Sequence, residues 1–566
     1  MTQIYSASPA RTLDQLTAAL AQSKPASVAI WTFDDRPARQ AAEAALAALG
    51  IAAKVRSAYK PLVHFFLEDA RPGFTAAAIT YPVHPGAVAN RFLLESYPLG
   101  ALLPVQPTFA PGTADLHYDV TLTYPEGPET HRVFAPNREH IDHVGETLLS
   151  PCGWVDDAPY ETDYEQIFTG LIASIKAYPW PQAEPYFDQL VIDVTLPAAD
   201  EPLPYDDEVI SLTEAMHEEI YFSLLEVFQR HSGRPLGDRH LQPGQIVPVV
   251  RTGVAPSINV TLQPLTTVDR AGAPQPLETA AAALPVAQVR DTLAALGGTP
   301  FTAQTRSGRT VDASYVAGAG YPVMISAGQH ANETTGIVGA LRAANRLRAA
   351  GGSFTISPLE NPDGYALHGL LCADNPRHMH HAARYTALGD DLEYRENPET
   401  YYEKAIRIEA ENRSGALLHV NLHGYPAHEW TRPLSGYVPR NFAMWTVPKG
   451  FFLVLRHHPA FADTARKLID AVTRDLGDVP GLTDYNRRQI ALYELHAGET
   501  GFEMINGFPC YVHSDDRHRV PLTLITEYPD ETVYGDAFIA GHTAQMQTVL
   551  SAHAAWQRLA PSLPLS

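Results

Sequence analysis

Two residues three apart, His330 and Glu333, are where chemistry first becomes legible in this chain. They stand in the stretch Tyr321 to Ala350, YPVMISAGQHANETTGIVGALRAANRLRAA. The apolar run Val323 to Ile325 reads as a buried strand. After Gly328 the chain turns through His330 to Glu333 and enters an alanine-rich amphipathic helix. An imidazole nitrogen and a carboxylate oxygen held where a strand hands over to a helix can face one point, and that donor pair suits zinc. Alone, such a pair in a chain with 24 histidines is more often a surface loop whose glutamate favours a helix N-terminus.

A third ligand has to come from another element, because two local donors cannot close a tetrahedron and leave a water position open. Leu417 to Tyr425, LLHVNLHGY, alternates as a strand, with Leu418, Val420 and Leu422 on one face and His419, Asn421 and His423 on the other. His423, at the strand end before Gly424, is the candidate. His419 shares its face and is the main rival, and the cluster His378, His380 and His381 is a weaker one.

The elements that must position these residues sit in a long chain. Its 566 residues exceed one ordinary core, so two or more domains are expected. Three cysteines, Cys152, Cys372 and Cys510, lie far apart in sequence, which suggests neither a disulfide framework nor a Cys-based zinc site and fits a reducing compartment. A formal charge of -22 repels phosphate backbones, so nucleic acid is not an expected partner. The first residues lack a basic segment followed by an apolar one, and no later run is long and apolar enough to span a bilayer. A soluble cytoplasmic protein without a membrane partner is the expectation, and oligomeric state is not legible.

Along the chain, SVAIWTF at Ser27 to Phe33, a helix over Pro37 to Leu49 and a strand from Ile51 define a small α/β unit, residues 1–75. Residues 76–284 alternate short β-like runs with Pro, Gly and Asp, giving a β-rich α+β domain. Within it, Ser211 to Arg230 predicts a packed helix with a capping box, Ser211 with Glu214, and with His217, Glu218 and Glu219 on a solvated face. A Pro-, Ala- and Thr-rich connection precedes a boundary near 285, after which strand and helix patterns alternate through 285–566.

His330 and Glu333 after a strand, SPLENPDGY at Ser357 to Tyr365, and His423 in LHGYPA together resemble the zinc metallocarboxypeptidases of the M14 superfamily. The resemblance implies that the fold is α/β, a C-terminal α/β/α sandwich with a mixed sheet, preceded by an α+β N-terminal region. It implies one zinc per chain on His330, Glu333 and His423, and a zinc-activated water attacking a peptide or amide bond. Glu527, in TLITEYPDE, matches the position of the family's general base, with Glu531, Glu503 and Glu499 as competitors. Arg384 would stabilise the oxyanion, and Asp391 would hold the ring of His330 through its other nitrogen.

The match then departs from the family. Where an Asn-Arg pair grips the substrate carboxylate, this chain has Glu393 and Tyr394, with Arg395 displaced by one residue. Either Arg395 or Arg377 reaches that point, or Glu393 recognises an amine; Tyr425 is a further expected substrate neighbour. The Arg384 to Asp391 spacing also resembles the aspartoacylase and succinylglutamate desuccinylase branch, so the expected substrate is a small peptide or an acylated amino acid. The alternatives are an N-acyl amino acid deacylase or a carboxypeptidase-like domain kept only for binding.

Overall fold

A computed structural model describes residues 1–562; residues 563–566, the end of the expected catalytic domain, lie outside the described residues. The C-terminal half is built on a mixed sheet. Its strands are β1 (Thr299–Gln304), β2 (Thr310–Val316), β3 (Ala319–Ala327), β4 (Gly352–Ser357), β5 (Leu418–Tyr425), β6 (Phe452–His457), β7 (Glu503–Ile505), β8 (Phe508–Ser514) and β9 (Leu522–Pro529). Their order across the sheet is β1-β2-β4-β3-β5-β9-β6-β8-β7. The centre is parallel, β4 beside β3, β3 beside β5 and β5 beside β9, while β6 runs antiparallel to β9.

The alternation in β5 explains its place. Leu418, Val420 and Leu422 enter one apolar core with Val323, Ile325, Leu522 and Leu524, while His419, Asn421 and His423 form a polar face that is also buried. Helices α2 (Thr335–Ala349), α5 (Ala462–Leu476) and α6 (Asp536–Leu559) contribute to that core, as does Tyr365 of α3 (Pro362–Asp374), while α1 (Leu212–His231) packs in the N-terminal core. The close approach of α2 to α6 needs Gly339, where a Cβ would come within 2.5 Å of Gln545. On the opposite face α4 (Ala405–Ser414) packs over β1 to β4 through Ile406 and Ala410. Helices on both faces of a mixed sheet make this half an α/β/α sandwich.

Within the first 75 residues Leu13, Leu16, Val28, Ile30, Leu46 and Val55 form an apolar core of their own. Strand Thr2–Ala7 pairs with Ser257–Gln263, and Ser27–Thr32 pairs with Trp154–Val155, so later segments complete both sheets. From Ala280 and Leu284 onward, side chains join the core of the nine-stranded sheet. The N-terminal core in turn takes in Leu367, Leu371, Met379 and Trp430 from the C-terminal half, so the two halves share apolar contacts.

Helix α1 differs most from expectation. His217, Glu218 and Glu219 are buried, not solvated. Ser211 does accept from the Glu214 backbone N–H at 3.0 Å, but the Glu214 carboxylate turns away to His428 Nε2 at 2.7 Å and the Met379 N–H at 2.8 Å. Glu218 takes His381 Nδ1 at 2.6 Å; Glu219 takes the Leu434 N–H at 2.7 Å; Glu226 takes Arg432 at 2.9 Å. Every one of these partners belongs to the C-terminal half, so sequence spacing within the helix cannot reveal them. The wholly buried acids are stable there because each is hydrogen-bonded or paired.

Among the described residues no helix is long and apolar enough to cross a membrane. At His428 burial disfavours the charged ring, but Glu214, with Glu208 and Asp207 beyond it, outweighs burial and raises the pKa from 6.5 to about 9. The folded chain therefore keeps a proton that the unfolded chain releases between pH 6.5 and about 9. This pair stabilises fully below that window and loses its contribution as pH rises through it. Thermal melts across the window should show a fall in Tm that is shallower in His428→Gln; equal slopes would remove this pair from the stability of the interface.

Candidate metal centre and cleft

Gly328, at φ +62°, ends β3 and throws the chain into the loop that precedes α2. That loop brings His330 Nδ1 within 2.7 Å of Glu333 Oε1. From the end of β5, His423 Nδ1 comes within 3.0 Å of Glu333 Oε2 and 3.0 Å of His330 Nδ1. These three are buried and form the one His/Cys/Asp/Glu group among the described residues whose donor atoms could share a cation. Two imidazole nitrogens and a carboxylate converging on one point are a fitting donor set for zinc. His419 is not part of it: its Nε2 lies 2.6 Å from Ser326 Oγ. His378 and His380 are turned to Asp200 and to the Asn375 carbonyl.

The loop is clamped from β9. Asp530 Oδ2 accepts from the Thr335 backbone N–H at 2.9 Å and from its hydroxyl at 2.5 Å. Gly424 permits this approach, since a Cβ there would lie 2.0 Å from Asp530 Oδ1; its N–H donates to Glu333 Oε2 at 3.0 Å. Asp391 sits behind His330, with Oδ2 3.3 Å from Nε2 and Oδ1 accepting from Gln329 at 2.8 Å. Although burial opposes it, the charges of His330 and Arg384 and the hydrogen bonds hold Asp391 well below the usual carboxylate range. A carboxylate on Nε2 leaves the lone pair of His330 at Nδ1, the side that faces Glu333.

In the register of β5 and β9, His423 lies directly opposite Glu527. Glu527 lines a cavity of about 210 Å³ together with His330, His423, Arg384, Asp391, Asn421, Glu393 and Tyr425. Burial and then the charge of Glu333 push its carboxyl well above the ordinary range, against the pull of Arg384 and Lys449. Lys449 is buried among the rings of Tyr425, Trp445, Phe452 and Tyr493, and burial lowers it to about 7. Of the competing glutamates, Glu503 is on the edge strand with Arg466, and Glu531 is buried behind Arg384.

SPLENPDGY sets Arg384. Asn361 caps α3 by accepting from the Gly364 N–H at 2.8 Å, and its amide donates to the Tyr385 carbonyl at 3.2 Å and the Arg384 carbonyl at 3.4 Å. The Arg384 guanidinium reaches Glu333. Burial works against its charge, but Glu333 and its acidic neighbours keep it protonated.

Arg395 is not at the cleft. Its guanidinium is buried between Asp390, at 2.5 Å, and Glu403, at 3.1 Å, since a chain displaced by one residue turns the side chain inward. Arg377 pairs with Asp207 at 3.1 Å, also away from the cavity. Glu393 does line the cavity, but Arg456, His518 and Arg407 surround its carboxylate, which leaves it little capacity for a substrate amine. Tyr425 forms wall, with its hydroxyl donating to the Gly450 carbonyl at 2.8 Å. Two arginines that line the cavity have no signal in the sequence: Arg456 from β6, and Arg239 from the N-terminal half, which stacks near Tyr394 and Phe442.

No protein-family model matches the sequence, and no curated protein matches it. Solved structures that the chain resembles include metallo-carboxypeptidases. One, from Burkholderia cenocepacia, is 14% identical, with 53% of this chain and 72% of that one covered and a TM-score of 0.31. Another, from Pseudomonas aeruginosa in complex with (2-guanidinoethylmercapto)succinic acid, is 12% identical, with 54% and 73% covered and a TM-score of 0.31. Thrombin activatable fibrinolysis inhibitor is 12% identical, with 49% and 72% covered and a TM-score of 0.28.

The role of Asp391 is open to direct measurement. Asp391→Asn should lower zinc affinity by about 10- to 100-fold in a chelator competition while the melting curve stays cooperative. Unchanged affinity would show that the ring of His330 is held by its packing alone.

Proposed function

We propose that this chain is a zinc-dependent hydrolase of carboxypeptidase type that cleaves a peptide or amide bond in a small substrate. The observation that carries the reading is the meeting of His330 Nδ1, His423 Nδ1 and Glu333 at one buried point, in the same cavity as Glu527. His330, Glu333 and His423 would hold one zinc. Zinc bound there supplies a Lewis acid that polarises a carbonyl and makes water a nucleophile near neutral pH.

The remaining work falls to the side chains of this chain. Glu527 accepts the proton of the attacking water and returns it to the leaving nitrogen; a carboxyl raised above its ordinary range suits a group that must both take and give. Arg384, always charged, faces the same cavity and opposes the negative charge that develops on the carbonyl oxygen. Phe442, Trp445 and Tyr425 provide apolar wall. A cavity of about 210 Å³ favours a dipeptide-sized or acylated amino-acid substrate over a folded protein.

With Arg395 sequestered, Arg239 is the candidate anchor for a substrate carboxylate. Among the described residues no carboxylate lies within ion-pair distance of it, whereas Arg456 is already paired with Glu393. N-acyl amino acids then remain as natural a substrate as peptides, because either carries a terminal carboxylate next to the scissile amide.

Glu527→Gln should retain about one zinc per chain by elemental mass spectrometry and lose at least about 100-fold in kcat on a panel of N-acyl amino acids and dipeptides. Loss of zinc in that variant would contradict its assignment as base, and wild-type zinc without turnover across the panel would favour a binding module. Arg239→Gln should raise KM about tenfold for carboxylate-bearing substrates with kcat little changed; an unchanged KM would take Arg239 out of recognition.

A further inference from the structure

Glu333 has two partners whose demands conflict. It faces the two imidazoles with which it would share a metal, and it also takes the guanidinium of Arg384. A divalent cation on Glu333 repels a guanidinium on the same carboxylate and weakens that ion pair. A second acceptor for Arg384 would offset the loss.

Glu531 is placed to be that acceptor. It follows Asp530, whose carboxylate clamps Thr335, and its side chain is fully enclosed. Neither of its carboxylate oxygens has a hydrogen-bond partner among the described residues. Buried polar groups in this state are rare, and a buried carboxylate requires a cation or donors. The charged groups that act on it are Glu333, Asp530, Glu218 and Arg384; three are acids, and Arg384 Nη1 stands 3.9 Å from Oε1. Glu531 does not line the cleft, so substrate does not explain it.

Resting on the zinc reading above, we infer that Glu531 is a positioning residue that receives Arg384 when a metal claims Glu333. The guanidinium moves about one side-chain contact, from Glu333 toward Glu531, and stays beside the cavity where the oxyanion forms. Metal binding and the placing of Arg384 are thereby coupled. Without the acceptor, Arg384 stays on Glu333 and competes with the metal.

The test needs no substrate. Zinc affinity is measured by competition with a chromophoric chelator for wild type, Glu531→Gln, Arg384→Met and the double variant. Glu531→Gln should bind zinc about tenfold more weakly than wild type, and this loss should vanish in the Arg384→Met background. Glu531→Asp, which keeps the charge, should restore affinity to within about twofold, and the same comparison guards against misfolding in Glu531→Gln. Equal affinity in Glu531→Gln and wild type overturns the inference alone. The same loss with and without Arg384 also overturns it, because Glu531 would then act on the metal directly by its charge. Absence of zinc from wild type overturns the metal reading and this inference with it.

Discussion

Everything in the C-terminal half follows from holding two imidazole nitrogens 3.0 Å apart against one carboxylate inside a protein. Such a group is unfavourable on its own, since two ring nitrogens crowd one carboxylate and its charge is removed from water. The fold meets that cost from three directions. Parallel pairing sets β5 between β3 and β9, so that His423 emerges beside the loop that carries His330 and across from Glu527. Asp530 ties the start of α2 to the end of β9, and Asp391 holds the outer nitrogen of His330. Rigid strand ends and a helix start fix donors more closely than a free loop could.

The N-terminal half completes this frame. The segments 376–384 and 426–442, which carry His381, Arg384 and part of the cleft wall, have little regular structure of their own. They are held by acids on α1: Glu214 grips the Met379 amide, Glu218 grips His381, and Glu219 grips the Leu434 and Ser435 amides. The Arg384 segment is thus fixed from two sides, by α1 and by the Asn361 cap, and Arg239 enters the cleft from the same half.

Sequence was most informative where local pattern and chemistry coincide. The strand, turn and helix around His330, the apolar and polar faces of β5, and the place of Glu527 at a strand end follow from periodicities of two and 3.6 together with Gly328 and Gly424. Choosing His423 over His419 was not decidable from alternation, because both lie on one face; the loop of His330 meets only the strand end. What stayed hidden was contact between distant segments. The acids of α1 read as a wet surface because their partners stand more than 160 residues away. Arg239 sits in an ordinary loop, and the inward turn of Arg395 depends on Asp390 and Glu403 being oriented together. Local pattern is equally silent on the pairing of strands from both ends of the N-terminal half in shared sheets.

The dovetailing of α1 with the C-terminal half bears on inheritance. In the interior Glu214, Glu218, Glu219 and Glu226 take much of their compensation from His428, His381, Arg432 and the amides of 434 and 435. Those cations and amides are equally stranded without the acids. A gene fragment beginning near residue 285 would therefore encode a sandwich whose cleft wall has lost its counter-charges, not a portable cassette. The C-terminal half keeps its buried charges paired only when transferred together with α1.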